Sequence, residues 1–178
     1  MEVKNFSEKF KDIKLIHGIN FQDERGSLKK TMFGDELQNL ISPIKEVLCS
    51  TSKKNVIRGL HFQNPPFAVK KLITCVKGTV LDVFLDLRLE SNTYGEFESI
   101  ELKEEDSLAL LIPEGFAHGY STLSNEAILI YLQSGNFNYK YDESVNPLGL
   151  GIDWKVENPV ISNKDKTSEE FKKFKSKF

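Results

Sequence analysis

The sequence predicts an all-β fold, a sandwich or barrel built from many short strands. Apolar and polar residues alternate over short runs, which is the period of a half-buried strand. Gly, Pro and Asn stand between these runs, where turns are expected. With 178 residues, of which 39% are hydrophobic, the chain has enough apolar surface for one core, and we expect a single domain over 1–178.

Composition narrows the function classes. The 24 basic and 26 acidic residues leave a net charge of −2, so no overall basic field points to nucleic acid. No apolar run is long enough for a membrane span, and the N-terminus lacks the apolar core of a leader peptide. Cys49 and Cys75 lie in apolar, strand-like runs without metal-type spacing, which predicts buried free thiols and a cytoplasmic protein.

The first third of the chain mixes short elements with loops. Residues 1–12 are charged with scattered Phe, which predicts a loose N-terminal arm or a short helix. The expected elements after it are a strand over 13–16, a turn at Gly26, a short helix over 33–40 and a strand over 44–51.

The stretch 55–78 carries the densest group of polar side chains. Strict alternation over 58–63 predicts two faces, with Arg58, Leu60 and Phe62 on one and Gly59, His61 and Gln63 on the other. A Pro-Pro pair ends this strand. The next strand, 71–76, begins with Lys71.

The remaining chain is mostly strand. The run 80–87 places Asp82, Phe84 and Asp86 on one face, and later strands are expected over 97–102, 108–112 and 127–132. The Lys-rich tail, 166–178, contains Phe residues at helical spacing, which predicts a C-terminal helix over 169–174.

Several polar residues are candidates for chemistry. His61 and His118 each stand beside glycine or one residue from it, although a single histidine in a strand is more often structural. Arg58, Lys71 and Asp82 change this balance, because charges inside a small barrel are costly without a ligand or a partner. They indicate an anion site. Tyr131 ends an apolar strand, where a phenol is either a core residue or a proton donor.

Seven segments of the chain form a distinctive ordered set: FQDERG (21–26), VIRGLHFQ (56–63), GTVLDVFLDLR (78–88), SNTYG (91–95), IPEGFAHGY (112–120), GIDW (151–154) and ISNKD (161–165). In these segments and their order the chain resembles a known family, the dTDP-4-dehydrorhamnose 3,5-epimerases of the cupin superfamily. The resemblance implies a cupin-type β-jelly-roll with short peripheral helices. It also implies a homodimer with exchanged N-terminal strands.

Cupins also include metal-dependent enzymes, and the spacing here argues against a metal site. Metal cupins carry a His-x-His pair and then a Glu, whereas this chain has Gly59-Leu60-His61 and places Lys71 at the glutamate position. Two imidazoles at most remain, too few for a firm metal site. We therefore expect no metal and no other cofactor.

The family's reaction inverts carbons next to the ketone of a nucleotide-diphosphate 4-keto-6-deoxysugar through an enolate. By resemblance, His61 is the base with Asp165 as its carboxylate partner, and Tyr131 is the acid on the opposite face. The implied enolate-stabilising set is Lys71, His118 and Arg58, positioned by Asp82.

Substrate binding is implied for Arg25, Arg58, Gln63, Phe21 and Glu143, with Phe21 and Arg25 reaching the partner's site. Glu46 and Leu48 replace amides with which the family holds thymidine, so the base is left open. The sequence is also compatible with a C3-only or C5-only epimerase, a nucleotide-sugar 3,4-ketoisomerase or a non-catalytic sugar-nucleotide-binding cupin.

Overall fold

Two antiparallel β-sheets face each other across the main apolar core. The structure, a computed structural model, describes residues 1–31 and 34–178. Its strands are β1 (Glu2–Asn5), β2 (Lys14–His17), β3 (Ile19–Asp23), β4 (Gly26–Lys30), β5 (Glu46–Lys53), β6 (Val56–Gln63), β7 (Lys71–Lys77), β8 (Thr79–Asp86), β9 (Phe97–Lys103), β10 (Leu108–Ile112), β11 (Phe116–Thr122), β12 (Glu126–Gln133), β13 (Asp142–Ser144) and β14 (Val160–Ile161). The two helices of the described ranges are α1 (Asp35–Ile41) and α2 (Asn163–Thr167).

The strand order of the two sheets determines which side chains meet between them. The first sheet runs β1-β2-β10-β7-β12-β5, and the second runs β13-β6-β11-β8-β9, with β14 pairing in parallel with β6. Strands β3 and β4 form a separate hairpin. Inward-facing residues of both sheets, such as Ile73, Leu129 and Phe84, form the core between them. The predicted all-β jelly-roll with short peripheral helices is confirmed.

Parts of the outer faces of both sheets are also covered, which explains why the strands at their centre are apolar on both sides. Against the second sheet, Trp154 and the aromatic residues of the C-terminal segment pack on Leu60 and Phe62. Against the first sheet, Ile41 of α1 packs on Leu72. Neither helix of the described ranges is long and apolar enough to cross a bilayer.

Both ends of the chain differ from the prediction. Residues 1–12 are neither a loose arm nor a helix, because β1 pairs with β2 and Phe10 is buried against Phe84. The tail is not helical over 169–174, and helix α2 ends before it. Its Phe residues pack on the sheet instead, and the Phe178 carbonyl accepts a hydrogen bond from the Leu89 N–H. In a segment this short, a few Phe residues can be spaced in the same way in a helix and in an extended chain that packs one side on a sheet, so the spacing did not distinguish the two.

Two smaller predictions are also corrected. Cys75 is buried as expected, but Cys49 is exposed, because β5 is the edge strand of its sheet. The helix expected over 33–40 is present as α1, whereas Phe33 lies outside the described residues.

Candidate active site

A cavity of about 610 Å³ opens between the two sheets. Strands β6 and β11 supply one wall, strands β5, β7 and β12 supply the facing wall, and α2 contributes at the rim. The cavity is lined by seven of the predicted site residues: His61, Tyr131, Lys71, Asp165, His118, Arg58 and Gln63.

A one-residue bulge in β6 brings Arg58 and His61 onto the same wall. On β11, His118 pairs with His61 and Tyr120 pairs with Arg58, so a step of three residues along β6 matches a step of two along β11. The prediction that Arg58 faces away from His61 is therefore wrong. Strict alternation fails here because Gly59, with φ +113°, allows the extra residue.

His61 forms a hydrogen-bonded dyad with Asp165. Its Nε2 lies 2.7 Å from Asp165 Oδ1, the His61 side chain is 35% exposed, and the Asp165 side chain is 3% exposed. Asp165 sits in α2, where its N–H donates to the N-cap Ser162 Oγ at 3.1 Å. Burial raises the pKa of Asp165, but its hydrogen bond to His61 and the neighbouring charge outweigh this, so its pKa is lowered. The ionised Asp165 accepts a hydrogen bond from the Nε2–H of His61. The unprotonated Nδ1 of His61 is then the basic atom.

His118 and Asp82 form a second, fully buried pair. His118 Nε2 lies 2.9 Å from Asp82 Oδ2, and Asp82 Oδ1 has no hydrogen-bond partner among the described residues. Burial lowers the pKa of His118, against the opposing attraction of Asp82. His118 is therefore neutral near pH 7. Its single N–H, on Nε2, donates a hydrogen bond to Asp82, so His118 has no second proton to donate.

Lys71 crosses from one wall toward the other. Its Nζ donates to the His61 carbonyl oxygen at 3.0 Å. Burial lowers the pKa of Lys71 to about 8, although Asp142 and Asp82 attract the charged form. The ammonium form still dominates at pH 7, so the cavity contains a cation whose further N–H donors are available to a ligand oxygen.

Tyr131 faces the cavity from β12. Its ring packs edge-on against the ring of His118, with centroids 5.9 Å apart. Burial raises the pKa of the Tyr131 phenol well above its usual value, and the nearby Tyr120 and Asp82 act in the same direction. Tyr131 is consequently protonated at neutral pH.

Arg58 and Gln63 already form hydrogen bonds within the chain. Arg58 Nε donates to Ser52 Oγ at 2.8 Å, and one terminal nitrogen donates to the Thr51 carbonyl at 3.2 Å. The Gln63 amide nitrogen donates to the carbonyls of Phe67 and Asn136, and its oxygen accepts from the Asn138 N–H. Gln63 thus anchors the loops at the cavity rim.

Besides the buried Asp82, three predicted site residues do not line the cavity of this chain. Arg25 is 85% exposed and ion-paired with Asp23, and Phe21 is 52% exposed on the same hairpin. Glu143 pairs with Phe62 across β13 and β6, on the outer face of the sheet, and binds Lys177 at 2.9 Å. The neighbouring Asp142 lines the cavity instead.

Several lining residues were missed by the sequence interpretation. Asp142 forms an ion pair with Lys164 of α2, and both line the cavity. Ser50 of β5 and Tyr120 of β11 also line it and hydrogen-bond each other. Two of these residues could have been found from the sequence. Alternation along β5 indicates that Ser50 faces inward, and Lys164 directly precedes the predicted Asp165 in the ISNKD segment. The register of a three-residue strand, which selects Asp142 over Glu143, was not readable from sequence.

No group of three or more His, Cys, Asp or Glu side chains is arranged to hold a metal ion within 1–31 and 34–178.

The chain is similar in sequence to known enzymes. Residues 7–173 match the family described as dTDP-4-dehydrorhamnose 3,5-epimerase. The dTDP-4-dehydrorhamnose 3,5-epimerase of Shigella flexneri is 36% identical over 90% of this chain and 91% of its own length. The dTDP-4-dehydrorhamnose 3-epimerase of Streptomyces niveus is 41% identical over 65% of this chain and 57% of its own length.

A solved structure is similar over nearly the whole fold. The dTDP-6-deoxy-D-glucose 3,5-epimerase of Legionella pneumophila, in complex with dTDP-4-keto-L-rhamnose, superimposes with a TM-score of 0.89 at 29% identity, covering 98% of this chain and 94% of that one. Together with the match over residues 7–173, this similarity shows that the chain belongs to the dTDP-4-dehydrorhamnose 3,5-epimerase family.

Proposed function

We propose that this protein is a nucleotide-diphosphate 4-keto-6-deoxysugar 3,5-epimerase, with a dTDP sugar as its substrate. One observation carries the proposal: the His61–Asp165 dyad and Tyr131 line a single cavity from two different sheets. A sugar ring between them would meet a base on one face and an acid on the other. Family membership and the dTDP-4-keto-L-rhamnose complex of the Legionella relative support the substrate class.

The first step is proton loss from the carbon beside the ketone. His61 takes this proton on Nδ1, the C–H electron pair forms the C=C bond of the enolate, and the ketone oxygen becomes negative. Asp165 holds the ring in this tautomer and stabilises the imidazolium that forms. Asp165 stays ionised because its pKa is lowered.

Lys71 stabilises the enolate oxygen. Its ammonium is a cation inside the cavity with N–H donors to spare, and loss of one such oxyanion donor typically costs about 2.7–4 kcal/mol. Neutral His118 supports this site indirectly, whereas the family resemblance implies a direct role in stabilising the enolate. It holds Asp82 in place, and Asp82 in turn attracts the charged form of Lys71.

Tyr131 completes the inversion. It donates its phenolic proton to the same carbon from the opposite face, and the enolate returns to a ketone. The same cycle at C3 and at C5 inverts both centres, because both carbons neighbour the C4 ketone. No cofactor enters these steps.

The diphosphate of the substrate needs cations at the cavity mouth. Arg58 lines the cavity and its remaining N–H donors suit phosphate oxygens. Arg25 and Phe21 lie on an exposed hairpin, and β5 is an open edge strand beside the cavity. We therefore propose a homodimer in which each hairpin reaches the partner's cavity and supplies these two residues.

The nucleotide base is the least constrained part of the substrate. Leu48 lines the cavity, and Glu46 accepts a hydrogen bond from the Phe137 N–H at 3.2 Å, so neither provides an amide. Titration calorimetry with dTDP, UDP, GDP and CDP tests the base directly. We expect dTDP to bind most tightly. The proposed compartment is the cytoplasm, where reduced Cys49 and Cys75 are normal.

The activity is tested with dTDP-4-keto-6-deoxyglucose in D₂O, following deuterium entry at C3 and C5 by NMR. The wild-type protein should exchange both positions and invert both centres. His61→Ala should abolish exchange at both carbons, whereas Tyr131→Phe should impair inversion more than exchange. Wild-type protein that exchanges neither carbon would refute the proposal, and exchange retained in His61→Ala would reject the base assignment.

A C3-only epimerase is the second candidate. It is favoured by the Streptomyces niveus relative, a 3-epimerase that is 41% identical over 118 residues. The same NMR experiment separates the two functions, because a 3-epimerase inverts C3 and leaves the configuration at C5 unchanged.

A further inference from the structure

One edge of the Arg58 guanidinium is held against strand β5. Its Nε–H donates to Ser52 Oγ at 2.8 Å, and its Nη2 donates to the Thr51 carbonyl oxygen at 3.2 Å. Nε–H and Nη2 lie on the same side of the planar group, and their two acceptors are neighbouring residues of one strand. This edge of the guanidinium is therefore occupied before any ligand binds.

The other edge of the guanidinium is available to a ligand. An arginine side chain has five N–H donors, and the two bonds to β5 leave three of them. These three lie on Nη1 and on the outer side of Nη2, the pair of nitrogens that can bind two oxygens of one phosphate group. Because Arg58 lines the cavity, this fork is the part of its side chain that a diphosphate would meet.

Ser52 is itself held in place by Tyr120 of β11. Their side-chain oxygens lie 2.8 Å apart, and the two residues are 3% and 1% exposed. Tyr120 is also the cross-strand partner of Arg58 in the ladder between β11 and β6. Strand β5 belongs to the first sheet, whereas β6 and β11 belong to the second. The position of the Arg58 guanidinium is therefore fixed by a contact between the two sheets.

Ser52 contacts Arg58 without forming part of the cavity wall. Ser50 lies two residues earlier on the same face of β5 and lines the cavity, whereas Ser52 does not line it. Arginine can only donate hydrogen bonds, so Ser52 Oγ is the acceptor from Arg58. Ser52 can thus act on a ligand in the cavity only through the side chain that it holds.

We propose that Ser52 is a positioning residue that orients Arg58 for the diphosphate of the substrate. A free arginine side chain has many rotamers, and fixing one of them when a ligand binds lowers the affinity. The bonds to β5 fix the Arg58 side chain when the chain folds, so the ligand meets a guanidinium that is already oriented. The inference rests on the proposed function, because the diphosphate belongs to the substrate proposed above.

The test is a double-mutant cycle between Ser52 and Arg58, measured by titration calorimetry of the full-length protein with dTDP. Ser52→Ala should weaken dTDP binding at least about fivefold, because the guanidinium is no longer held. Arg58→Met should weaken dTDP binding further. In the Arg58→Met background, Ser52→Ala should change the Kd for dTDP by less than about twofold, because Ser52 acts only through Arg58.

The D₂O assay gives a second measurement on the same variants. Ser52→Ala should raise KM at least about fivefold and change kcat by less than about twofold, because Arg58 binds the diphosphate and takes no part in proton transfer. A fall in kcat with an unchanged KM would overturn the positioning role.

Ser121→Ala is the matched control for Ser52→Ala. It removes another buried hydroxyl, which donates to the Trp154 carbonyl oxygen at 2.6 Å, and its residue does not line the cavity. The Kd for dTDP should stay within about twofold of wild type, even if the melting temperature falls. Unchanged dTDP affinity in Ser52→Ala, or an equal loss with and without Arg58, would overturn the inference. Wild-type protein that binds dTDP but shows no deuterium exchange would refute the epimerase proposal, while the cycle would still decide the role of Ser52.

Discussion

Arg58 and His61 lie on the same face of β6, although they are three residues apart in a strand. The extra residue is accommodated at Gly59, where an added Cβ would lie 2.6 Å from both the Gly119 Cα and the His118 carbonyl oxygen. The two strands therefore approach so closely that only glycine fits. This close approach places a guanidinium suited to phosphate and the imidazole of the proposed base on one wall.

Gly59→Ala should accordingly disrupt the site. We expect the free energy of unfolding to fall by more than about 2 kcal/mol, because a backbone clash adds to the strain of a positive φ. Gly26→Ala is the matched control, since Gly26 has φ +123° with nothing within 4 Å of an added Cβ. It should lose only about 1 kcal/mol. Equal losses in urea unfolding of the two variants would show that close packing at Gly59 is unimportant.

Lys71 should lower the stability of the fold at pH 7 while supporting catalysis. Its folded pKa of about 8 lies below the 10.5 of a free lysine, so burying the charge opposes folding at pH 7, and this penalty declines as pH rises from about 8 to 10.5. Lys71→Met should therefore raise the melting temperature at pH 7 and reduce deuterium exchange by about 10²–10³-fold. The gain in melting temperature should shrink as pH rises from about 8 and vanish above about 10.5.

Lys77→Met is the control for this prediction. Lys77 lies on the same strand but is exposed and paired with Glu126, so its replacement should leave exchange within about twofold of wild type. A Lys71→Met variant that retains exchange would remove Lys71 from the mechanism.

Asp142 should set the alkaline limit of activity. It attracts the charged form of Lys71, so Asp142→Asn should lower the Lys71 pKa and move the alkaline fall of the exchange rate to lower pH. Asp82, His61, His118 and Lys164 also face this region and remain unchanged in the variant.

The adjacent Glu143 gives the matched comparison. Glu143→Gln removes a carboxylate on the outer face, so both KM and the pH profile should stay close to wild type. A raised KM in Glu143→Gln, or an unmoved alkaline limb in Asp142→Asn, would contradict the assignment of Asp142 to the cavity side.

Phe21 should contribute to dimer formation. Phe21→Ser removes an exposed aromatic group from the hairpin, and we expect weaker dimerisation by sedimentation velocity and a raised KM. Leu89→Ser is the control, because Leu89 is also 52% exposed but lies outside the hairpin. A monomeric wild-type protein, or an unchanged dimer in Phe21→Ser, would argue against the exchanged hairpin.

Alternation and motif spacing were sufficient to predict the all-β architecture, most strand positions and the group of His61, His118, Lys71, Asp165 and Tyr131. These features are local or are read from the family's ordered segments. Lys71 and Tyr131 stand out as polar groups at the ends of apolar runs, but their proposed roles come from the family resemblance.

Tertiary structure decided the rest, because those features depend on pairing between distant strands. The bulge at Gly59 turns Arg58 toward His61, the register of β13 selects Asp142 instead of Glu143, and the C-terminal Phe residues pack on a sheet rather than forming a helix. The hydrogen bonds from Tyr120 to Ser50 and Ser52 likewise form only because the edge strand of one sheet meets the interior of the other. Such contacts are set by packing between sheets, and no local pattern in the chain encodes them.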